Sequence, residues 1–341
     1  MTPTIHLHIG EPKSGTTFLQ GVMRQNRVEL RRRGLLVPGH REQIKAAHST
    51  IRDKADRTRW KELAATMLAW SGTGAVISME TLCRAEPASI RATVAAFGSA
   101  HVRIVITARD LVRTLPAQWQ QSTQHRKTWS WHEYYSAVVD GRTSAPASRN
   151  FWSQHDLQRM VEQWSDVVPR DRISVVTLPH RGGEPTVLWR RFATALDLEP
   201  DGIEMVSPSN ESLGVPSAEL LRRLNLLLEQ SDLSDKEYGS LVRSLIVRTI
   251  LAPRRSHETR VRLPESAAEW ATGEAERIIG AVEAAGVQVI GDLADLRPQF
   301  DDLEGKHSEP VEESVTDAAV DAIRGLVELL AERRRSNPTT D

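Results

Sequence analysis

A short run near the start of the chain combines a lysine, a glycine and three hydroxyl side chains. It consists of Pro12, Lys13, Ser14, Gly15, Thr16 and Thr17. The run follows an apolar segment at residues 5–9 and precedes a stretch with helical spacing, so we expect it to join a strand to a helix. Such a junction directs backbone N–H groups and the positive end of a helix dipole at one point. Lys13 adds a positive charge, Gly15 lets the backbone approach closely, and the hydroxyls donate further hydrogen bonds.

The position of the lysine in this run distinguishes between kinds of nucleotide chemistry. A Walker loop carries its lysine directly after the last glycine and before a serine or threonine, whereas Lys13 precedes Gly15. The pattern therefore predicts a phosphate-binding loop and disfavours an ATPase or a GTPase. Three alternatives stay open: an ordinary strand-to-helix turn with a solvated lysine, a P-loop kinase-like phosphotransferase with an unusual loop, and a non-catalytic scaffold that binds a nucleotide.

Residues 12–19 resemble the 5'-phosphosulfate loop of the PAPS-dependent sulfotransferases, which has the form Pro-Lys-Ser/Thr-Gly-Thr-Thr-x-Leu. PAPS, 3'-phosphoadenosine-5'-phosphosulfate, is the donor of that family, and PAP is the product that it leaves. The resemblance implies the P-loop-like sulfotransferase fold and transfer of a sulfuryl group from PAPS to an acceptor hydroxyl or amine. It implies that Lys13 contacts the bridging oxygen region of the donor. The other donor-binding residues of the loop would be Pro12, Ser14, Gly15, Thr16 and Thr17.

A second donor contact is implied at Arg109, which follows an apolar segment at residues 102–107. Family members place an arginine at this strand end to hold the 3'-phosphate, because a guanidinium matches phosphate oxygens bidentately. A surface ion pair with the adjacent aspartate is the alternative. The serine that many members carry two helical turns later is replaced here by Ala117, and the candidate substitutes are Thr114, Gln121 or backbone groups.

The resemblance also extends to a later loop, residues 209–214, which lies where several family members close over the 3' side of the donor. It implies that Asn210 and Ser212 contact the donor. A plain helix N-cap arrangement is the alternative for this loop, because asparagine and serine are preferred at that position.

An acceptor hydroxyl needs a general base within hydrogen-bond reach. Glu80 follows a short apolar segment, and open parallel sheets build their sites at the carboxyl ends of strands. It is therefore the leading catalytic base, while Lys13 would stabilise the leaving oxygen. His48 is the second candidate, because some relatives take their base from the segment after the first helix, and His40 and Glu42 follow it. A surface position is the alternative for the histidines.

The acceptor is predicted only as a small molecule or a glycan. Three tryptophans, Trp119, Trp129 and Trp131, could line its pocket, and packing in a core is the alternative. We expect no metal site, because PAPS carries no triphosphate and the sequence shows no carboxylate cluster that requires a cation.

Buried strands and connecting helices are predicted to position these residues. Four short segments mostly lack the polar alternation of half-exposed strands, which predicts an α/β fold with a central, mainly parallel β-sheet. These segments are residues 5–9, 74–78, 102–107 and 173–177. Apolar spacing predicts helices over residues 17–33, 54–70, 88–97, 157–168, 186–196, 217–230 and 235–251. Ser217 and Asp235 are the predicted N-caps of the last two.

The composition of the chain excludes several classes of partner. Its 44 basic and 45 acidic side chains give a net charge of −1, so we expect no binding to nucleic acid. No segment approaches the roughly 20 apolar residues of a membrane span, and the N-terminus lacks the pattern of a signal peptide. The single cysteine, Cys83, excludes a disulfide framework and suits a reducing compartment. These features predict a cytoplasmic enzyme.

A change of composition marks the end of the chain. Residues 298–310 are polar and acidic and contain two prolines, which predicts a linker after a catalytic domain over residues 1–297. Residues 311–336 have the apolar stripe of an amphipathic helix. We expect this C-terminal helix either to fold back on the body of the protein or to pair with a partner, which includes a possible homodimer.

Overall fold

The computed structural model describes residues 2–51, 57–98, 100–180, 184–207, 212–299, 303–304 and 310–336. The chain divides into two compact units. The first consists of Met1–Thr114, Arg149–Ser209 and Glu269–Gln299, and the second of Leu115–Ser148, Asn210–Ala268 and Phe300–Asp341. The predicted linker lies mostly outside the described residues, and the predicted domain boundaries stay a prediction.

The first unit contains a six-stranded sheet in which every neighbouring pair of strands is parallel. Its strands are β1 (Thr4–His8), β2 (Leu35–Leu36), β3 (Gly74–Ser78), β4 (Val102–Ala108), β5 (Ile173–Thr177) and β6 (Gln288–Ile290). Their order in the sheet is β2-β3-β1-β4-β5-β6. The predicted α/β fold with a central parallel sheet is confirmed.

Burial on both faces explains why the four central strands mostly lack polar alternation; β1 does alternate, but its histidines, His6 and His8, are buried as well. Every residue of β3 and β5 is buried, and β1 and β4 each contain one partly exposed residue. Strands covered on both faces need apolar side chains at successive positions. The sequence did not predict the edge strands β2 and β6, because they are only two and three residues long and show no apolar pattern.

Helices flank the sheet as predicted. In the described part of the chain the α-helices are α1 (Thr16–Gln25), α2 (Arg27–Arg32), α3 (His40–Ile51), α4 (Thr58–Leu68), α5 (Pro87–Ala95), α6 (Leu111–Gln124), α7 (Trp131–Val139), α8 (Pro146–His155), α9 (Leu157–Ser165), α10 (Pro185–Ala195), α11 (Val215–Leu228), α12 (Asp235–Tyr238), α13 (Ala252–Arg254), α14 (Ala268–Ala285) and α15 (Glu312–Ser336). The amphipathic C-terminal helix, α15, is thereby confirmed.

The helix predicted over residues 17–33 is interrupted at Asn26. The side-chain amide of Asn26 donates to the Val22 carbonyl at 2.8 Å and to the Glu204 carbonyl at 2.7 Å. Asparagine side chains compete in this way with backbone hydrogen bonding, and here the tertiary bond to Glu204 ends α1. The chain therefore turns at Asn26 before α2 begins.

The predicted N-caps of two helices in the second unit are wrong, by three positions for α11, whose N-cap is Gly214, and by one position for α12. Helix α11 begins at Val215, so Ser217 lies inside its first turn. Helix α12 is capped by Ser234, and not by Asp235, through a capping box in which Ser234 and Glu237 bond reciprocally. A serine that can bond the third helical residue was thus the stronger sequence indication.

The second unit is mainly helical. Helix α12 continues into a π-type helix, Gly239–Leu251, and the N–H of Ala252 donates to the Val247 carbonyl five residues earlier. A short parallel pair, Leu263–Pro264 with Leu303–Glu304, lies in the same unit. Across the described ranges of both units, no helix has the combined length and apolar character that spanning a bilayer demands.

Strand β1 lies where the order of the strands reverses. The chain first adds β3 on one side of β1 and then crosses to add β4 on the other side. In open α/β sheets, ligands bind outside the carboxyl ends of the strands at such a reversal. The loop after β1 and the ends of β3 and β4 are therefore well placed to form a site.

Candidate active site

The loop between β1 and α1 surrounds the N-terminus of that helix. Gly15 holds the N-cap position with a left-handed backbone, φ 87° and ψ 8°, and no side chain of the described residues caps the helix. A β-carbon at this position would collide with the Leu188 side chain of α10, so glycine is required by both φ and space. The first-turn N–H groups of α1 are thus not taken up by a capping side chain.

A buried hydrogen-bonded network lies beneath this loop and joins the ends of three strands. The His8 ring bonds Ser78 Oγ at 2.7 Å and Thr107 Oγ1 at 3.1 Å. Thr107 Oγ1 in turn bonds Ser14 Oγ at 2.5 Å. The network therefore links β1, β3 and β4 to residues 12–17, the predicted phosphate loop. Sequence reasoning missed it, because the four residues are far apart in the chain and only strand register aligns them.

His8 in this network is uncharged at neutral pH. Burial lowers the pKa of its ring to about 3. A neutral imidazole has one N–H donor and one acceptor nitrogen, which matches a position between two hydroxyl groups. The ring also packs against Phe192 of α10, with 4.8 Å between ring centroids. His8 is consequently a fixed neutral support for the loop.

The Ser14 hydroxyl differs from the sequence expectation. The sequence predicts that it donates to a phosphate, whereas it is fully buried and donates to the Glu11 carbonyl at 2.5 Å. A hydroxyl has only one proton to donate. Its role here is to hold the loop, which leaves the backbone N–H of Ser14 as the group that could meet an anion.

Glu80 lies at the loop, as the position of its strand end predicts. It begins a 3₁₀ turn, Glu80–Arg84, which Met79 separates from the end of β3, and the Thr16 hydroxyl at the start of α1 donates to Glu80 Oε2. The side chain of Gln20 donates to the Ser78 carbonyl at 3.0 Å and ties the same two elements together. The structure therefore brings the proposed base and the phosphate loop into direct contact.

Arg109 also reaches the loop. It follows β4, and its Nη1 donates to the Lys13 carbonyl at 3.0 Å. Asp110 was the partner in the alternative ion pair. Among the described residues, this aspartate is buried and pairs with Arg113 instead. Its Oδ1 accepts the N–H of Arg113 at 2.9 Å. The aspartate fixes the first turn of α6, while the arginine faces the phosphate loop.

The segment after the second strand contributes a different residue from those predicted. His48, His40 and Glu42 are exposed on α3, and the Glu42 carboxylate accepts the Gly39 N–H at 3.0 Å. The neighbouring Gln43 is buried, and its Oε1 accepts the N–H of Ser78, the last residue of β3, at 2.9 Å. Helical spacing from the apolar positions of α3 could have placed Gln43 on the inner face.

A small pocket lined by two buried titratable groups, Glu11 and His155, adjoins the loop. Burial, together with the charge of Asp156, raises the pKa of the Glu11 carboxyl well above its usual value, while Arg159 opposes the rise. Burial, with a contribution from the charge of Lys13, lowers the pKa of His155 to about 3. The pocket is lined by Glu11, Ala108, Arg109, Leu111, His155, Leu157, Ala275, Ile278 and Leu296. Sequence reasoning missed both groups, because nothing in a local pattern indicates that a loop glutamate is buried.

Several other predicted residues are not brought to this loop within the first unit. Asn210 lies outside the described residues, and Ser212 is exposed in the second unit. Helix α6 contains Ala117, which is half-buried, and Thr114, which is buried. The contribution of these positions to a donor site stays a prediction.

The tryptophans pack within the second unit. Trp119 and Trp131 are buried, with 5.6 Å between ring centroids. Each indole N–H is satisfied by a backbone carbonyl, from Trp129 at 3.0 Å and from Arg262 at 3.1 Å. These contacts agree with packing in a core, the alternative that the sequence left open.

Within the described residues, no three His, Cys, Asp or Glu side chains cluster in a way that could hold a metal ion.

The chain matches no family model, and no curated protein matches its sequence. Among solved structures, it is similar to a sulfotransferase from Alicyclobacillus acidocaldarius, with 15% sequence identity and a TM-score of 0.42. The match covers 62% of this chain and 87% of that chain. At this level the likeness carries no inference about the chemistry of the site.

Proposed function

We propose that the chain is a PAPS-dependent sulfotransferase that moves a sulfuryl group from PAPS to an acceptor hydroxyl or amine. The observation that carries the proposal is the N-terminus of α1, which has no capping side chain among the described residues and follows Lys13 closely. Helix N-termini bind phosphate through their amides and their dipole. The order of lysine and glycine favours the 5'-phosphosulfate of PAPS over the triphosphate that a Walker loop holds.

Lys13 and Arg109 are proposed to hold the donor at its two ends. The hydrogen bond from Arg109 to the Lys13 carbonyl places both residues on one surface, at the carboxyl ends of β1 and β4. A guanidinium offers five N–H donors in a fork, so this bond is compatible with a contact to the 3'-phosphate. The lysine and the loop amides would meet the 5'-phosphosulfate.

The proposed transfer is a single displacement at sulfur. The acceptor oxygen forms a bond to sulfur, the bond from sulfur to the 5'-phosphate oxygen breaks, and PAP leaves with that oxygen. The acceptor proton passes to the carboxylate of Glu80, which the Thr16 hydroxyl holds at the loop. Lys13 stabilises the charge that develops on the leaving oxygen.

Glu80 is preferred over His48 as the base. The contact with Thr16 keeps Glu80 at the helix N-terminus where the sulfuryl group would lie, whereas His48 is exposed on α3. The scheme needs no metal ion, because PAPS carries no triphosphate and Lys13 supplies the charge. A small-molecule or glycan acceptor and a cytoplasmic location stay predictions.

Turnover of PAPS labelled in its sulfur tests the proposal. The full chain would be incubated with a panel of phenols, sugars, amines and lipids, and labelled product and PAP would be measured. We expect equal amounts of both from at least one acceptor, and their loss in Lys13→Ala but not in Lys61→Ala, an exposed lysine on α4. PAP binding without turnover of any acceptor would support the scaffold, and ATP binding that requires Mg²⁺ would support the kinase-like enzyme.

A further inference from the structure

Exposed large apolar side chains are concentrated in the second unit. In the part of the chain that the structure describes, nine such side chains are exposed, and Val28 alone lies in the first unit. The other eight are Leu226, Leu227, Leu241, Val311, Val320, Ile323, Val327 and Leu330. Single exposed apolar residues are normal, but a concentration on one surface marks an interaction site.

One face of α15 is already packed within the second unit. Val315, Ala318 and Ala322 are 4%, 0% and 8% exposed. A β-carbon on Gly325 would lie 3.0 Å from the Ile250 side chain, so α15 and the π-type helix Gly239–Leu251 approach closely there. This inner face shows that α15 folds back on its own unit, one of the two alternatives that the sequence left open.

A second apolar face of α15 is exposed. Val320, Ile323, Val327 and Leu330 are 60%, 62%, 60% and 58% exposed, and their spacing of three, four and three residues is that of a coiled-coil seam. We name these four residues the outer stripe. Each lies five residues beyond a member of the inner face, which places the stripe about 140° around the helix. Among the described residues, packing within the unit leaves the stripe uncovered.

We propose that the outer stripe of a second copy of this chain covers the outer stripe, in an antiparallel helix pair about a two-fold axis. A two-fold interface requires a surface that is complementary to itself. Centred on Gly325, the pair would place Val320 against Leu330 of the second copy and Ile323 against Val327 of the second copy. In both of these pairs, an apolar residue at a seam position of one helix packs against a seam residue of the other helix.

The charges at the two ends of the stripe select the antiparallel direction. The N-terminal end carries Glu313 and Asp317. The C-terminal end carries Arg333, Arg334 and Arg335 against Glu328 and Glu332, so it stays net positive, and all of these side chains are exposed. Parallel copies would align like charges at both ends, which is unfavourable. Antiparallel copies bring each acidic end beside the basic end of the other copy.

The size of the stripe sets the expected strength of the pair. Four side chains and their neighbours form a smaller surface than the roughly 800 Å² per partner of a standard interface. We therefore expect a dimer that dissociates in the micromolar range.

Sedimentation equilibrium of the full chain, from low to high micromolar concentration, tests the proposal. We expect a reversible monomer-dimer equilibrium that the double variant Ile323→Glu/Val327→Glu abolishes. Because both positions are exposed, far-ultraviolet circular dichroism should show that the variant keeps its helical content. Val28→Glu, a matched change of an exposed apolar residue in the first unit, should leave the dimer intact. A wild-type chain that stays monomeric throughout, or a double variant that still dimerises, overturns the proposal.

Cysteine crosslinking tests the direction of the pair. The only native cysteine, Cys83, is buried, so an introduced cysteine can be followed by itself. A mixture of Val320→Cys and Leu330→Cys chains should form a disulfide-linked heterodimer on mild oxidation, and Val320→Cys alone should not crosslink. Efficient crosslinking of Val320→Cys alone would show a parallel pair and contradict the antiparallel model.

Discussion

Three neighbouring residues of the phosphate loop have different tasks, although their types look similar in the sequence. The Ser14 hydroxyl is buried and bonded to the backbone of the loop, and the Thr16 hydroxyl holds Glu80. Lys13 is partly exposed, with a positive φ of 64°. The sequence predicted a cluster of donors at this point, but it could not separate the inward hydroxyls from the outward amides and charge.

Glu80→Gln should reduce turnover and leave donor binding intact. The amide oxygen of glutamine can still accept from Thr16, but the side chain cannot take the acceptor proton. We expect kcat to fall about 10²-fold to 10⁴-fold while the Kd for PAP changes little. Glu62→Gln, a change of an exposed glutamate on α4, is the control for a lost surface charge. Unchanged kcat in Glu80→Gln would move the base to His48.

Arg109→Ala should mainly raise the KM for PAPS. Loss of a charged hydrogen bond to the 3'-phosphate removes about 1.5 to 3 kcal/mol, which is about a tenfold to hundredfold effect on affinity. Steady-state kinetics with PAPS as the varied substrate would measure it, with Arg41→Ala on the exposed face of α3 as control. Wild-type kinetics for Arg109→Ala would contradict its assignment to the donor.

At the scale of elements, the junction of β1 and α1 depends on neighbours that lie far away in the chain. The loop is supported by hydrogen bonds that involve Thr107 of β4 and His8. At the helix N-terminus, the Leu188 side chain of α10 approaches Gly15 so closely that it leaves no room for a β-carbon. The sequence predicted the strand, the turn and the helix, because each has a local pattern. It could not predict the support beneath the loop, since that support depends on the register of three strands.

Thr107→Val should loosen the phosphate loop. Valine keeps the shape of threonine but leaves the buried groups of His8 and Ser14 without their shared partner, which typically costs about 1 to 3 kcal/mol. We expect a lower free energy of unfolding and weaker PAP binding, measured by urea denaturation and calorimetry. Thr107→Ser retains the hydroxyl and should behave nearly as the wild type. Equal PAP affinity in Thr107→Val and Thr107→Ser would show that the network does not position the loop.

At the scale of the whole molecule, the interior of the first unit contains several buried titratable groups whose pKa values are shifted toward the neutral form. Burial lowers the pKa of His6 to about 4 and the pKa values of His8 and His155 to about 3. Burial raises the pKa of Glu11. Composition gave no indication of this, because the number of histidines does not show which of them are buried.

Stability should therefore fall as the pH is lowered from about 6.5 toward 4. In this window the three histidines gain protons in the unfolded chain but not in the folded one, so each lowers the free energy of unfolding by about 1.4 kcal/mol per pH unit. Glu11 acts in the opposite direction, because the folded state keeps its proton as the pH rises. Urea denaturation at several pH values would measure the slope. His8→Gln should reduce it by about 1.4 kcal/mol per pH unit, and an unchanged slope would contradict the neutral, buried state of His8.

The central claim is that the loop between β1 and α1 binds the 5' end of a nucleotide through Lys13 and the helix N-terminus. Isothermal titration with PAP in the absence of Mg²⁺ tests it most directly, on the wild type, on Lys13→Ala and on the control Lys61→Ala. We predict saturable binding by the wild type and the control, and affinity about tenfold to hundredfold weaker in Lys13→Ala. Absence of PAP binding to the wild type, or equal binding to all three chains, would contradict the account.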